Sequence, residues 1–257
     1  MAERELYVVN LGVRSYAEVL AFQRDVAARR ISGEIAQDVL LLVEHPPVVT
    51  LGRRKEDNKL PVSESFLNSR GIELFEVERG GGVTFHGPGQ LVGYPIIDLQ
   101  RHKQDLHWYL RQVEEAIIRT IGDYGIPGER NTGFTGVWAR GRKIASIGVH
   151  ARAWVTWHGF ALNVATDLSY FDLMTPCGID GVVMTSMEKE ADRPVHYDIV
   201  AAGAARHFAE LFALEAVVVD TLPGAGPNDI LNASTNMAPS TIPNAARDVA
   251  PIITPNA

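Results

Sequence analysis

The sequence predicts an α/β (α+β) protein in which a mixed β-sheet is flanked by helices. Short apolar runs that are typical of strands alternate with amphipathic segments that are typical of helices, up to about residue 220. Several strand-like runs follow each other with only short turns between them, which indicates hairpins and a sheet that is not purely parallel. Because the apolar residues are spread evenly, we expect residues 1–220 to form one domain.

Short apolar runs mark the predicted strands, and longer segments with helical periodicity mark the predicted helices. The predicted strands are Leu6–Asn10, Val39–Val43, Val48–Leu51, Glu73–Val77, Tyr94–Leu99, Thr135–Ala139, Lys143–His150, Val155–Val164 and Ala216–Val219. The predicted helices run from Ser15 to about Arg30, from Asp105 to about Gly122 or Gly125, and from about Asp198 to Glu215. Ser15 and Glu18 have the spacing of a capping box, and Arg140-Gly141-Arg142 is the predicted turn of a hairpin.

The composition indicates a globular protein of the cytoplasm and argues against several classes of function. The chain has 257 residues, 46% of them hydrophobic and 21% charged, and a net charge of −7. Proteins that bind nucleic acid need a basic surface, so we expect no general binding to DNA or RNA. The sequence contains no signal-peptide pattern, no run long enough to cross a membrane, and only one cysteine. Proline, alanine and asparagine dominate residues 221–257, which predicts a disordered tail.

A glycine-rich stretch, Arg79–Pro95, is the first candidate for a functional site. It contains six glycines and two prolines, with arginine, threonine, histidine and glutamine between them. Glycine lets a backbone approach a ligand closely, so the composition predicts a shaped loop held between two strands. The stretch lacks the lysine of a phosphate-binding P-loop, and it matches only half of the dinucleotide-binding fingerprint. We therefore expect no nucleotide at this loop.

The other candidates for chemistry are one cysteine, one lysine and two histidines. Cys177 lies between a proline and a glycine, where its thiol could be accessible, although a single cysteine is most often a buried apolar residue. A nucleophilic thiolate needs a nearby cation or imidazole, which Lys143 or a histidine could supply. Lys143 follows a basic turn and would ordinarily lie at the surface. His45, on an extended connection, is a minor candidate, and His158 is expected to be a hydrogen-bonded core residue. No histidine belongs to a close pair of metal ligands.

The alternation of side chains along a strand predicts which face of the sheet each candidate occupies. In the strand predicted over Lys143–His150, the two-residue period places Lys143 on one face with Ala145 and Ile147. Ser146 and Gly148 are then expected on the opposite face.

Four blocks of sequence, in this order, resemble the signature of the lipoyl(octanoyl) transferase family. The blocks are RGGGVTFHGPGQ at residues 79–90, KIASIG at 143–148, HGFALN at 158–163 and TPCGI at 175–179. The segment EHPPVVTLG at residues 44–52 also fits the family pattern. The resemblance covers roughly Leu6 to Glu215 and implies the fold of the biotin and lipoate protein ligases, a mixed sheet flanked by helices.

The resemblance implies an acyltransferase of protein lipoylation. The reaction it implies transfers an octanoyl group from octanoyl-acyl carrier protein to a specific lysine of a lipoyl domain, which is the first step of endogenous lipoylation. The implied acceptors are the carrier protein of glycine cleavage and the E2 subunits of 2-oxoacid dehydrogenases. A thioester is already activated, so no ATP, other cofactor or metal is expected.

The resemblance also assigns roles to individual residues. Cys177 is expected to carry the acyl group as a thioester, with Lys143 as its partner in charge stabilisation and proton transfer. The expected walls of the acyl site are Arg79, Gly80, Gly81, Gly82, Val83, Thr84, Phe85, His86, Ser146, Ile147, Gly148, Gly159, Phe160 and Ala161. Backbone N–H groups near Cys177 and Gly178, or in the glycine loop, are candidates to stabilise an oxyanion. Arg140 and Arg142 are the first candidates for docking an acidic carrier protein.

Three other functions fit parts of this pattern. An ATP-dependent lipoate ligase of the same fold would require ATP with a free acid. A cysteine hydrolase that uses Cys177 with His86 or His158 would release free acid instead of acylating a protein. A non-catalytic module would bind an acyl carrier protein without turnover.

Overall fold

The apolar runs of the sequence pair into one large mixed sheet and one small sheet. The protein is represented by a computed structural model, which describes residues 4–175 and 181–223. The strands of this part of the chain are β1 (Glu5–Val13), β2 (Asp38–Glu44), β3 (Val48–Leu51), β4 (Glu73–Glu76), β5 (Thr84–His86), β6 (Gln90–Ile96), β7 (Gly128–Glu129), β8 (Gly136–Ala139), β9 (Arg142–Arg152), β10 (Val155–Asn163) and β11 (Glu215–Val218).

The large sheet has eight strands in the order β11-β1-β2-β6-β10-β9-β8-β7. The pairs β11–β1 and β1–β2 are parallel, and every following pair from β2–β6 onward is antiparallel. The small sheet has the order β4-β3-β5, with β3 parallel to β4 and antiparallel to β5. The predicted mixed sheet is therefore confirmed.

Helices cover both faces of the large sheet. They are α1 (Tyr16–Ser32), α2 (Glu64–Ser69), α3 (Leu106–Gly122), α4 (Met187–Ala191) and α5 (Tyr197–Leu211). Ser15 and Glu18 form the predicted capping box at the start of α1, and the side chain of Asp105 caps α3. The helix predicted from about Asp198 to Glu215 ends earlier, at Leu211, because Ala213 has a left-handed backbone (φ 54°).

Two apolar cores fill the spaces between the large sheet and its helices. On one face, α3 and α5 pack against β-strand side chains that include Leu40, Ala145 and Phe160. On the other face, α1 packs against side chains that include Leu41 and Ala161. The small sheet has an apolar core of its own. Since neighbouring strand residues belong to different cores, both faces of the central strands are buried.

The glycine-rich stretch is more regular than the sequence predicts. Instead of one loop from Arg79 to Pro95, it contains all of β5 and nearly all of β6. Only the residues around Gly80–Gly82 and Gly87–Gly89 remain irregular. The strands extend into the glycine-rich region because Val83, Phe85, Leu91 and Val92 are completely buried and need partners for their backbones.

No helix within the described ranges is both long enough and apolar enough to cross a membrane.

Candidate active site

Residues of the glycine-rich stretch Arg79–Pro95 and of strands β9 and β10 surround one groove on the α1 side of the large sheet. We call the irregular segment Gly80–Gly82 of that stretch the glycine loop. The predicted wall residues that line it are Arg79, Gly80, Gly81, Gly82, Thr84, His86, Ser146, Ile147, Gly148, Gly159, Phe160 and Ala161. Tyr16, Tyr94 and His158 line it as well, although sequence reasoning did not assign them to the wall. Val83 and Phe85 lie instead in the core of the small sheet, because alternation along β5 turns them away from Thr84 and His86.

Glycines let the loop lie directly on the backbone of β9. The N–H of Gly80 donates a hydrogen bond to the carbonyl of Val149 (2.9 Å). A methyl group on Gly148 would lie 2.7 Å from the carbonyl oxygen of Gly80, and one on Gly52 would overlap the carbonyl of Gly81. These close backbone contacts leave no room for a side chain at Gly52 or Gly148.

The guanidinium of Arg79 holds the loop in shape. Its Nη1 donates to the carbonyls of Gly80 (3.1 Å) and Gly82 (2.8 Å), and its Nη2 donates to the carbonyl (2.8 Å) and Oγ1 (2.7 Å) of Thr50. The side chain is 7% exposed. These four hydrogen bonds all go to protein oxygens. Arg79 therefore shapes the groove by holding the backbone of the glycine loop in place.

Lys143 lies on the groove side of the sheet, and not with Ala145 and Ile147 as the two-residue period predicts. The pairing of β8 with β9 shifts by one residue, so that Val137 pairs with Ala145 but Trp138 pairs with Lys143. A bulge of this kind turns a side chain to the other face. The Nζ of Lys143 lies 5.1 Å from the centre of the Trp138 ring, whereas Val137 and Ala145 pack against α3 and α5. Lys143 is 1% exposed, so it is not a surface lysine.

A chain of buried hydrogen bonds connects His86 to the backbone near Lys143. The Nδ1 of His86 donates to Oε1 of Gln90 (2.9 Å), whose Nε2 donates to Oδ1 of Asn163 (2.9 Å). The Nδ2 of Asn163 donates to the carbonyl of Thr185 (3.0 Å), and the N–H of Thr185 donates to the carbonyl of Lys143 (2.9 Å). Burial lowers the pKa of His86 to about 3, so the ring is neutral at pH 7 and its Nε2 is an acceptor.

His45 is fully hydrogen-bonded beneath the groove. Its Nδ1 donates to the carbonyl of Arg14 (2.8 Å), and its Nε2 accepts a bond from the hydroxyl of Tyr94 (2.8 Å). Burial lowers the pKa of His45 to about 4. The ring of Tyr16 lies 5.3 Å from His45 and is stacked 5.9 Å from His86. His45 therefore supports the aromatic floor of the groove, and its ring nitrogens are not available to a substrate.

His158 differs from the hydrogen-bonded core histidine that the sequence predicts. Its ring is 1% exposed, and neither ring nitrogen has a hydrogen-bond partner among the described residues. Its Nε2 lies 3.8 Å from Oε2 of Glu78, which is too long for a hydrogen bond. Burial lowers the pKa of His158, although the carboxylate of Glu78 opposes this effect. The backbone at His158 is left-handed (φ 55°), which is uncommon for a residue other than glycine.

Two comparisons of sequence agree on the family. The model of the lipoyl protein ligase A/B catalytic domain matches residues 15–209. The chain belongs to this family. It is 51% identical over 215 residues to an octanoyltransferase of Solibacter usitatus, covering 84% of this chain and 94% of that protein. It is 52% identical over 186 residues to an octanoyltransferase of Rubrobacter xylanophilus, covering 72% of this chain and 83% of that protein.

Solved structures of lipoate protein ligases have the same fold as this ligase A/B family domain. One, from T. acidophilum with bound lipoic acid, superposes with a TM-score of 0.66 at 19% identity, over 84% of this chain and 89% of that one. A lipoate-protein ligase A bound with ATP also superposes with a TM-score of 0.66, at 18% identity, over 84% and 89% of the two chains. The expected lipoate-ligase architecture is thereby confirmed.

The two arginines after β8 are engaged with a buried carboxylate in this member of the family. The side chains of Arg140 and Arg142 both lie 2.8 Å from Glu190, whose side chain is fully buried. The hydroxyl of Thr185 also donates to Glu190 (2.6 Å). Burial favours the neutral acid, but the bonds from Thr185, Arg140 and Arg142 outweigh it and lower the pKa of Glu190. Reversing these arginine charges would break an internal cluster as well as change the surface.

The expected nucleophile, Cys177, lies outside the described residues, as do Gly178 and the rest of residues 176–180. Both described flanks of this segment are hydrogen-bonded to other parts of the chain. On one side the N–H of Thr175 donates to the carbonyl of Lys59 (3.0 Å), and on the other Lys143 donates from its backbone to Val183 (2.8 Å). In the two described ranges, no cluster of three His, Cys, Asp or Glu side chains could hold a metal ion.

Proposed function

We propose that this protein is an octanoyltransferase. It transfers an octanoyl group from octanoyl-acyl carrier protein to a lysine of lipoyl domains, in the carrier protein of glycine cleavage and the E2 subunits of 2-oxoacid dehydrogenases. Cys177 carries the acyl group as a thioester, and Lys143 assists. The family, and the two octanoyltransferases at 51% and 52% identity, support this assignment.

The observation that carries the proposal is the position of Lys143. The bulge turns Lys143 to the groove face of the sheet, where its ammonium group lies over Trp138 and only 1% of its surface is exposed, so its role is not to keep the protein soluble. Burying a lysine costs free energy, so such a residue marks a functional site more often than a structural one. Its backbone is bonded to Val183 and Thr185, which follow the segment that contains Cys177.

The proposed reaction has two acyl transfers. The thiolate of Cys177 attacks the carbonyl carbon of the donor thioester, an acyl–cysteine bond forms, and the bond to the carrier sulfur breaks. Lys143, as a cation, stabilises the thiolate and gives a proton to the departing carrier thiolate. The amine of the acceptor lysine then attacks the acyl–cysteine carbon, loses its proton to the now neutral Lys143, and expels the thiolate of Cys177. The free enzyme is restored with no net change in protons on Lys143.

The oxyanion formed in each step needs hydrogen-bond donors. The N–H of Gly80 is already bonded to Val149, so it does not serve. This leaves the other N–H groups of the loop and the main chain at Cys177 and Gly178 as the candidates.

Intact mass tests the covalent step directly. The protein is mixed with octanoyl-acyl carrier protein, without ATP or acceptor, and we expect one added octanoyl group that hydroxylamine removes. Cys177→Ala should gain no such group, and adding a lipoyl domain should discharge the acylated wild type. A Cys177→Ser variant with near-normal transfer would refute the cysteine intermediate.

Lys143→Arg tests proton transfer, because arginine keeps the positive charge but does not give up its proton. We expect a loss of transfer of about a hundredfold, the usual contribution of a positioned acid or base. Lys103→Arg, at an exposed lysine paired with Asp105, is the matched control and should be fully active. Full activity of Lys143→Arg would exclude Lys143 as the proton carrier.

The same assay separates the other functions. A requirement for ATP and free octanoate would identify a ligase, and release of free octanoate in place of an acylated lipoyl domain would identify a hydrolase.

A further inference from the structure

We propose that His158 sets the length of the acyl chain by closing the groove at the end farthest from Lys143. The ring stops the chain, and Glu78 places a negative charge behind the ring. This inference deepens the proposed octanoyl transfer and rests on it, since that transfer puts the reacting carbonyl at the Lys143 end.

The register of the strands places His158 at the right level. In the pairing of β9 with β10, Ser146 lies opposite Ala161, Gly148 opposite Gly159, and Val149 opposite His158. From Ser146 to Val149 is three residues of strand, or roughly 10 Å. An extended octanoyl chain is also on the order of 10 Å long, about three residues of strand. A chain whose carbonyl lies near Ser146, on the groove side with Lys143, therefore ends at the level of the His158 ring.

Small residues leave room for a chain between these two levels. Gly148 and Gly159 have no side chain, and Ala161 has only a methyl group, while the glycine loop covers the groove from above. Phe160, between Gly159 and Ala161, points its ring into the opposite core against Phe208, so His158 is the first large side chain of β10 that turns towards the groove. The change from glycine to imidazole within one residue makes the groove end abruptly, as a length limit requires.

The ionised carboxylate of Glu78 lies behind the ring of His158. Oε1 and Oε2 of Glu78 accept bonds from Nε (2.9 Å) and Nη2 (2.6 Å) of Arg24, and Nε1 of Trp157 donates to Oε1 (3.0 Å). The groups around it, His158, Arg24 and Trp157, hold the pKa of Glu78 well below its usual range, so the carboxyl group is ionised. A methylene pressed past the ring would remove water from an ionised carboxylate, which is strongly unfavourable.

The backbone of His158 fixes the position of its ring. The N–H of His158 donates to Oε1 of Gln23 (3.0 Å), which is itself fully buried on α1. The left-handed φ of 55° is a strained conformation for histidine, and such strain is retained where the direction of a side chain matters. A buried ring without hydrogen bonds in the described structure is likewise costly, which argues that the ring is kept for its shape and place.

A competition experiment tests the proposal. The enzyme receives an equimolar mixture of acyl carrier proteins with chains of 6, 8, 10 and 12 carbons, with a lipoyl domain as acceptor, and the masses of the acylated acceptor give the product ratios. We expect the wild type to favour eight carbons. His158→Gly, which suits the left-handed backbone, should raise the ratio of ten-carbon to eight-carbon product roughly tenfold, since each buried methylene is worth about fourfold in affinity.

Because all donors compete for the same enzyme, the ratios do not depend on how much of a variant is folded. His158→Asn is a second variant that accepts the left-handed backbone and has a shorter side chain, so it should shift the ratios in the same direction by less. Glu78→Gln, which removes the charge but keeps the shape, should also raise the share of longer chains.

His107→Asn is the matched control. His107 is exposed in the first turn of α3 and does not line the groove. Its product ratios should equal those of the wild type. Octanoyl transfer with unchanged ratios in both His158 variants would overturn the length limit while leaving the proposed function intact. Loss of transfer of every chain in both variants would overturn it too, because a residue that only limits length is not required for octanoyl transfer.

Discussion

Replacing Arg79 by lysine tests whether the glycine loop is held by geometry or by charge alone. The guanidinium makes four hydrogen bonds of 2.7–3.1 Å to oxygens of Gly80, Gly82 and Thr50. A lysine ammonium has a similar reach but no planar fork, so it can keep only one or two of them. Losing two bonds from a charged, buried donor costs about 3 kcal/mol of unfolding free energy. For a domain of this size that corresponds to a fall in melting temperature of roughly 6–12 °C.

Thermal and urea unfolding measure this loss, and octanoyl transfer measured below the new melting temperature shows whether the groove is also distorted. The control is Arg53→Lys, at an exposed arginine two residues beyond Leu51, which should change stability by less than about 0.5 kcal/mol. If Arg79→Lys unfolds together with the wild type, the four bonds do not stabilise the loop and the argument fails.

Two further perturbations test the backbone contacts and the buried rings. Gly148→Ala places a methyl group 2.7 Å from the carbonyl of Gly80, so we expect kcat/KM for acyl transfer to fall about tenfold. Gly122→Ala, where a methyl group meets nothing within 4 Å at the end of α3, should keep full activity, and equal activity of both variants would contradict the crowding. His45 and His86 have pKa values of about 4 and about 3, below the usual 6.5, so only the unfolded chain takes up protons on these rings as the pH falls. Their stabilisation is complete above pH 6.5 and is lost as the pH drops towards 4; urea unfolding at pH 7, 6 and 5 should show this fall, and His45→Gln should make it shallower, whereas an unchanged slope would exclude His45 as a cause.

The elements that sequence reasoning predicted well are those in which local chemistry and tertiary packing agree. Ser15 and Asp105 predict the starts of helices because helix capping depends only on residues within one turn. Both side chains cap helices in the structure. The turn at Arg140 and Gly141, both left-handed, joins β8 and β9 as predicted. Within Arg79–Pro95, β5 and the part of β6 before Tyr94 escaped prediction because glycine and proline disfavour strands locally. There the pairing with β3, β2 and β10 outweighs propensity.

The face on which Lys143 lies shows what the sequence alone does not contain. The two-residue period is a property of one strand, whereas the bulge that reverses it is a property of the pair β8–β9. Glu78, Tyr16 and Tyr94 were missed for a related reason: they come from separate elements and meet only in the folded chain. Their one local signal is that Glu78 directly precedes the glycine loop.

Histidine, tyrosine and arginine line the groove that we propose for a hydrocarbon chain, although unpaired polar groups are unfavourable next to apolar ones. Their hydrogen bonds account for this arrangement. Nδ1 of His86 donates to Gln90, the hydroxyl of Tyr94 donates to His45, and the fork of Arg79 points at Thr50 and the loop carbonyls. With these polar atoms bonded to protein groups, ring faces and carbon edges remain as apolar surface. His158 is the exception among these side chains, because its ring nitrogens are unbonded in the described structure, and it lies at the proposed end of the acyl chain.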